Sequence, residues 1–388
     1  NDLMLDSRGL PMIPGSALAG VLRGRLTREE ANLLFGRDTV GDAMTESAVL
    51  VGDAALPADA KVRFTHRDGV GLDKHKVAVK GAKYDFETAE CTAPYTAVIE
   101  WSGWSDDPAL PLLDDLLAGA AADGLAFGGR TTRGYGRMAA EIHKKVFHFP
   151  ADLDAWLAFD PDTADAFADA DAVAGRETVP QENVLCAELR MTGSFIVRRY
   201  TSDVAVDEDK SGPDYCALEN GNGRPVLPGT GWSGAFRHHM RAMLDEMGGT
   251  AQQKADVNAL FGYSDDGVLK KRSALAFDET EISGGQAYTL TRNALDRFTA
   301  GTASKALYTS CVQQGGQGTL TIRLRRGALD VFQRQLLGAA LLDLDRGYLT
   351  VGGENSVGRG RATITALTLN GYPLQKEDLL HALTEVEK

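Results

Sequence analysis

LPMIPGSALAGVLRGRL at Leu10 to Leu26 and RPVLPGTGWSGAFRHHM at Arg224 to Met240 are two versions of one motif. Each is followed, well downstream, by a glycine ladder: GGRTTRGYGR at Gly128 to Arg137 and GGENSVGRGR at Gly352 to Arg361. The Pro14 and Pro228 anchors are 214 positions apart, the Phe35-Gly36 and Phe261-Gly262 pairs 226, and Gly128 and Gly352 224. Three anchors in one order and near register indicate an internal duplication, and a missed repeat misreads a whole fold. The second copy carries its extra length just after the Pro-Gly motif.

A chain of 388 residues suits two to three domains. Its 43% hydrophobic and 24% charged content is that of a globular protein. No apolar run is long enough to span a bilayer, so no membrane partner is expected. The chain opens at Asn1, and no signal peptide is visible. A strand-like run, VLCAELRMTGSFIV, precedes the second motif but not the first, so we expect the first copy to lack its opening strand. Cys91, Cys186, Cys216 and Cys311 are scattered, without CxxC or zinc-type histidine spacing, which fits a reducing, cytoplasmic setting. A net charge of −13 argues against nonspecific RNA affinity. Yet Ala151 to Ala174 holds seven aspartates and no Lys or Arg, so much of that charge lies away from both motifs.

After Pro14-Gly15, Ser16 is a favourable N-cap, and Leu18, Val21, Leu22 and Leu26 recur at helical spacing. Phe236, Met240, Met243, Leu244 and Met247 repeat the pattern behind Ser233. Arg23, Arg25 and Arg28, and then Arg237, His238, His239 and Arg241, fall at polar positions, which on pattern alone is a solvated face. Next come two matched stretches rich in Gly, Lys and Thr, Thr65 to Glu90 and Thr289 to Cys311. Leu72-Asp73-Lys74 matches Leu295-Asp296-Arg297, and Ala82 and Tyr84 match Ala306 and Tyr308. Each is followed by an alternating run, YTAVIEW or GTLTIRL, so each reads as a long arm projecting between strands. Arg67, Lys74, Lys76, Lys80 and Lys83 lie on the first arm, and Arg292, Arg297 and Lys305 on the second.

A helix then precedes each ladder, and MAAEIHKKVFHF and ATITALTLN close the copies as strands. The element order is that of a βαββαβ, ferredoxin-like unit. The fold expected is therefore α+β: a first domain over 1–148, an acidic linker over 149–182, and a second domain over 183–388. The ladders are not nucleotide loops. A dinucleotide fingerprint follows a strand and opens a helix, and a P-loop ends in Lys-Ser or Lys-Thr, whereas here a helix precedes and a strand follows. Two readings stay open: a loop that packs on a phosphate backbone, with Arg130, Arg133 and Arg137 around it, or a tight structural turn.

The Pro-Gly-Ser helix start, the Phe-Gly pair, the arm and the terminal GGxxxxGxGR resemble the RAMP superfamily of CRISPR-associated proteins. Within it the chain is similar to the backbone subunits of type III effector complexes, here as two fused repeats. The resemblance implies a ferredoxin-like core with a β-hairpin thumb, stacked along a guide RNA with other CRISPR effector subunits. It implies RNA contacts at Ser16, Arg23, Arg25, Arg67, Lys74, Arg130, Arg133 and Arg137, and at Ser233, Arg237, Arg241, Arg292, Arg297, Arg359 and Arg361. Tyr84 or Tyr308 could stack on a splayed base. It also implies cleavage of complementary target RNA by an aspartate ahead of the Pro-Gly motif, with Mg²⁺ or another divalent cation. Asp2 and Asp214 stand in that place, with Asp6 and Asp203 as substitutes. Two alternatives remain: a non-cleaving structural subunit, and a guide-processing ribonuclease using His66, His75, His238 or His239 as general acid or base. The second copy departs from the pattern at Thr230-Gly231-Trp232-Ser233, and at Glu354, which replaces the counterpart of Arg130.

Overall fold

A computed structural model describes residues 3–37, 44–73, 77–161, 163, 165–175, 182–200, 212–264 and 270–386. Asp2, Lys74, His75 and Asp203 lie outside them. The helices are α1 (Gly15–Arg23), α2 (Arg28–Phe35), α3 (Ala109–Asp123), α4 (Leu153–Leu157), α5 (Gly229–Glu246), α6 (Ala251–Leu260), α7 (Val331–Asp345) and α8 (Leu379–Glu385). Mixed with short antiparallel sheets, they make an α+β protein of two compact units.

The second unit is built on five strands in the order Leu275–Phe277, Gln317–Arg325, Glu182–Met191, Ala362–Leu369, Tyr372–Leu374. Every neighbouring pair is antiparallel. Along Glu182–Met191, Leu185, Ala187, Leu189 and Met191 are buried while Glu188 and Arg190 are exposed, the alternation of a sheet covered on one face. The cover is helical. Trp232, Phe236, Met240 and Leu244 form one stripe of α5, and Leu337, Leu341 and Leu344 one stripe of α7, all in one core with the sheet. Trp232 takes its indole N–H into this core by donating to Thr280 Oγ1 at 3.0 Å, because a buried donor left without a partner is costly. α8 lies against α7 at Gly338, where a Cβ would come within 2.7 Å of the Leu380 side chain.

Beside this sheet stands the second arm, an antiparallel hairpin of Gln286–Leu295 and Thr302–Gln314. The other edge of Thr302–Gln314 takes Tyr215–Ala217 in parallel, and Arg198–Tyr200 pairs with that strand in turn. The same unit includes Thr65–Phe86 and Thr132–Gly134 of the first copy. The first arm is thus a two-stranded sheet of Arg63–Leu72 and Ala78–Glu90, most of which belongs to the second unit.

The first unit holds α1 to α4 around a smaller core of Leu18, Leu22, Leu34, Val49, Leu113, Leu116 and Ala120. Among the described residues its sheets are pairs: Val49–Val51 with Ile99–Trp101, Leu125–Ala126 with Arg137–Met138, and His143–Lys144 with Asp171–Ala172. The runs YTAVIEW and MAAEIHKKVFHF are therefore much shorter as strands than their sequence suggests. Among the described residues the first copy has no counterpart of Glu182–Met191, the strand that joins the two halves of the other sheet, and a strand without a partner leaves its backbone groups unpaired.

Both helix starts differ from the sequence reading. α1 begins at Gly15 with Pro14 as the N-cap residue, and Ser16 makes no cap. The Gly15 N–H donates instead to Asp53 Oδ1 at 2.7 Å. α5 begins at Gly229 behind Pro228, a full turn ahead of Ser233. The reason is close packing: a Cβ on Gly15 would lie 2.2 Å from the Val51 carbonyl, and one on Gly229 2.1 Å from the Phe277 carbonyl. Val51 and Phe277 are themselves 226 positions apart, so the Pro-Gly pair presses each helix onto the same strand of its copy.

Candidate nucleic-acid interface

The basic face of the Pro-Gly helices braces the fold. Arg23 donates to the Phe35 and Gly36 carbonyls at 3.3 and 3.1 Å and to Asn32 Oδ1 at 2.9 Å, closing the end of α2. Arg25 donates to the Gly119 and Gly124 carbonyls at 3.0 and 3.1 Å and pairs with Asp123 at the end of α3. In the second copy Arg237 Nε reaches Asn258 Oδ1 at 3.3 Å, and Asn258 is the counterpart of Asn32. His239 stands where Arg25 does and meets Asp343 on α7 at 2.7 Å. A cation at a helix C-terminus is favourable because the last carbonyls lack partners and carry partial negative charge. Burial first, and then the charge of Arg241, makes the Arg237 guanidinium a weaker base than usual. Arg241 and Ser16 are exposed, whereas Ser233 is buried at 3%. Thr230, not Ser233, holds the position of Ser16.

The two ladders share one backbone. Arg130 and Glu354 are matched positions, both left-handed, with φ of 60° and 56°. A 3-10 turn follows each, Thr131–Arg133 and Asn355–Val357. Near the end of the ladders a Cβ on Gly136 would lie 1.9 Å from the Phe127 carbonyl, and one on Gly360 2.0 Å from that of Val351. Those glycines are demanded by the turn itself. Gly129 is different: its φ is not left-handed, and among the described residues an added Cβ would meet nothing within 4 Å. Gly353 has only ordinary contacts, the nearest at 3.6 Å. Within the second unit, Arg133 donates to the Phe261 carbonyl at 3.1 Å. Arg137 is half-buried in its short strand, and Arg361 is exposed with its stem over Gly347.

At the root of the second arm Glu354 collects four donors: Arg359 Nε at 2.8 Å, Tyr215 Oη at 3.0 Å, Arg292 at 3.2 Å and Arg198 at 3.3 Å. Arg359, only 2% exposed, also donates to Ser194 Oγ at 2.6 Å. Arg198 lies over the Tyr215 ring, 4.5 Å from its centroid. Burial pushes the Glu354 carboxyl up, but the Tyr215 and Arg359 hydrogen bonds and the charges of Arg359 and Arg292 outweigh it and hold the group below its usual range. The Tyr215 hydroxyl is raised by burial and then by Glu354, while Arg359 and Ser194 lower that of Tyr288. Glu354, read in sequence as a loss of charge, is the centre that orders three guanidinium groups. Arg198, Tyr215 and Ser194 were not singled out in sequence; strand pairing alone brings them here.

The arms end alike. Asp296 accepts the Phe298 and Thr299 N–H groups at 3.0 and 2.8 Å, and Asp73 accepts that of Val77 at 2.9 Å. Arg297 is exposed at the second tip among Leu295, Phe298 and Leu307, which are 64%, 94% and 69% exposed. The first arm exposes Val70, Leu72, Val77 and Val79. Arg67, by contrast, is buried and paired with Glu279 inside the second unit. The Tyr84 ring covers Gly69, whose Cβ would fall 2.2 Å from it, and Tyr308 stands opposite Arg292.

Of the aspartates, Asp214 lies at the root of the second arm, next to Tyr215. Its N–H donates to the Thr309 carbonyl at 2.9 Å, and its Oδ2 accepts the Thr309 N–H at 2.7 Å. Asp6 accepts the Arg8 and Leu10 N–H groups at 2.8 and 3.0 Å and the Arg8 guanidinium, which with the Leu10 bond foremost hold its carboxyl low. That is a turn-forming role. His66 lies on the first arm and His238 on α5. Among the described residues no three of His, Cys, Asp and Glu gather into a metal-binding group, and no helix is long and apolar enough to cross a membrane.

The model of the RAMP superfamily matches residues 3–139 and 204–363, two regions that together cover more than half of the chain and correspond to the two copies. A search of curated proteins finds no match.

Proposed function

The chain belongs to the RAMP superfamily, and from that premise we propose that it is a guide-RNA-binding backbone subunit of a type III CRISPR interference complex. Family membership suggests a CRISPR-associated, RNA-binding subunit of a ribonucleoprotein complex; the rest is our reading. We read the sheet order, with the opening strand between the third and the fourth, as a ferredoxin-like arrangement, and both arms as thumbs. One observation carries the proposal: Gly129, in a duplicated ladder, is required neither by its φ nor by any described neighbour. A glycine of that kind lets a phosphate backbone approach. Exposed Arg241, Arg297 and Arg361 supply the charge, and the apolar arm tips suit insertion between bases.

For cleavage we assign Asp214 and Asp2, with Mg²⁺. At Asp214 the donor set is one carboxylate already engaged by a backbone N–H, which suits magnesium only when RNA oxygens and water complete its shell. The carboxylate would orient the ribose 2′-hydroxyl or take its proton as that oxygen attacks the phosphorus and the 5′-oxygen leaves. Incubation of the guide-loaded chain with complementary RNA and magnesium tests this. Cuts that disappear in Asp2→Ala, Asp214→Ala with guide binding retained support it; unchanged cuts refute it. The Thr309 bond to Asp214 also favours a second reading, a subunit that binds without cutting, and for that reading the wild-type chain leaves the target intact.

A further inference from the structure

The duplication exposes a surface that belongs to no arm or ladder. In the second copy the chain beyond its closing strand forms α8, which packs on α7 and buries Leu379 and Leu383 completely. In the first copy the chain beyond His143–Lys144 also forms a helix, α4, yet none of its residues is buried. Its apolar content has not gone. Val146, Phe149, Leu153, Trp156 and Leu157 are 53%, 58%, 44%, 48% and 67% exposed.

The segment is ordered from beneath. Phe147 and Phe167 pack on Phe159 with centroids 5.3 and 5.5 Å away, and Phe149 meets Trp156 edge to face at 5.5 Å. Lys145 Nζ lies 5.3 Å from the Phe159 centroid and pairs with Asp169. The Asp152 carboxylate accepts the His148 N–H at 2.7 Å. A small aromatic layer thus holds an apolar strip outward, and aromatic anchors of this kind dominate binding where proteins meet.

Charge identifies the occupant. Val146 to Gly175 contains seven aspartates and no Lys or Arg. Of these, Asp154 and Asp165 are exposed, and the nearest lysines, Lys144 and Lys145, are paired with Asp114 and Asp169. Such a rim repels RNA phosphates and complements a basic partner. Phe149 precedes α4, and Leu153, Trp156 and Leu157 lie on it, so the strip offers a short apolar seat that suits one face of a partner helix. We propose that Val146 to Leu157, with its acidic rim, docks a basic amphipathic helix of a partner protein. This goes beyond the RNA reading and does not depend on it.

The test uses the full chain and a fluorescent synthetic peptide with leucines on one helical face and lysines on the other. The lysine peptide should bind at least about tenfold tighter than its glutamate analogue, and Trp156→Ser, Leu157→Ser should weaken it by about tenfold or more. Asp154→Lys, Asp165→Lys should do the same, and it keeps the test intact if the serine pair fails to fold. Failure of the lysine peptide to bind, equal binding of both peptides, or indifference to both pairs of substitutions overturns the proposal. So does loss of oligouridylate binding in the serine pair, which would make the strip an RNA surface.

Discussion

Glu354 ties the second glycine ladder to its arm by accepting from Arg359 and from Arg292. As a letter it subtracts charge from a basic loop; in the fold it receives Arg359, Tyr215, Arg292 and Arg198. Glu354→Gln keeps the shape but weakens charge-assisted bonds, so we expect a loss of about 2–3 kcal/mol in urea unfolding at neutral pH. The sign of the pH effect follows from its lowered folded-state pKa. The carboxylate's contribution is complete above the usual glutamate range and is lost as pH falls through the lower, folded value. Wild type and Glu354→Gln should therefore converge in acid, and a gap that widens there contradicts the assignment. Arg25 and Arg241 make a second pair of contrasts. Arg25→Ala removes a brace on two carbonyls and should cost about 1–2 kcal/mol of stability with little change in RNA affinity of the folded protein. Arg241→Ala should do the opposite, as melting and RNA titration of both variants would show.

At the scale of elements, the ladder separates two kinds of glycine. Gly136→Ala meets the Phe127 carbonyl at a left-handed φ of 69° and should cost about 3 kcal/mol or prevent folding. Gly129→Glu enters open space and should change stability by no more than about 0.5 kcal/mol while weakening RNA binding. Thermal melts with RNA titrations read both, and unaltered RNA affinity in Gly129→Glu removes the main support for the interface. Sequence spacing made the ladders, arms and Pro-Gly helices legible, because a duplicated pattern is its own control. It could not distinguish Gly129 from Gly136, which differ only in what lies beyond their Cα atoms. Nor could it separate a bracing arginine from an exposed one: Arg23 and Arg25 close helix ends in the first copy, while their counterparts Arg237 and His239 meet the side chains of Asn258 and Asp343. The cap at Ser16 failed because the close approach of Gly15 to the Val51 carbonyl starts the helix behind Pro14, which leaves Ser16 inside it.

For the whole molecule, the duplication is unequal in a way that spacing alone concealed. The second copy has a five-stranded sheet and a core that extends to α8, whereas the first has strand pairs, and its arm and ladder tip join the second unit. The RNA-binding account nonetheless requires both copies to grip the same guide. Binding by exposed arginines makes affinity fall with salt, and removing one arginine–phosphate pairing to single-stranded RNA should flatten the log–log slope by about 0.7. Arg241→Ala, Arg297→Ala, Arg361→Ala should thus show a shallower salt dependence than wild type, whereas Arg25→Ala should not. The most direct test is a hydroxyl-radical footprint of guide RNA on the intact chain. Two protected tracts of similar length, the first lost in Gly129→Glu and the second kept, are expected; one tract, no protection, or simultaneous loss of both would contradict two RNA-gripping repeats.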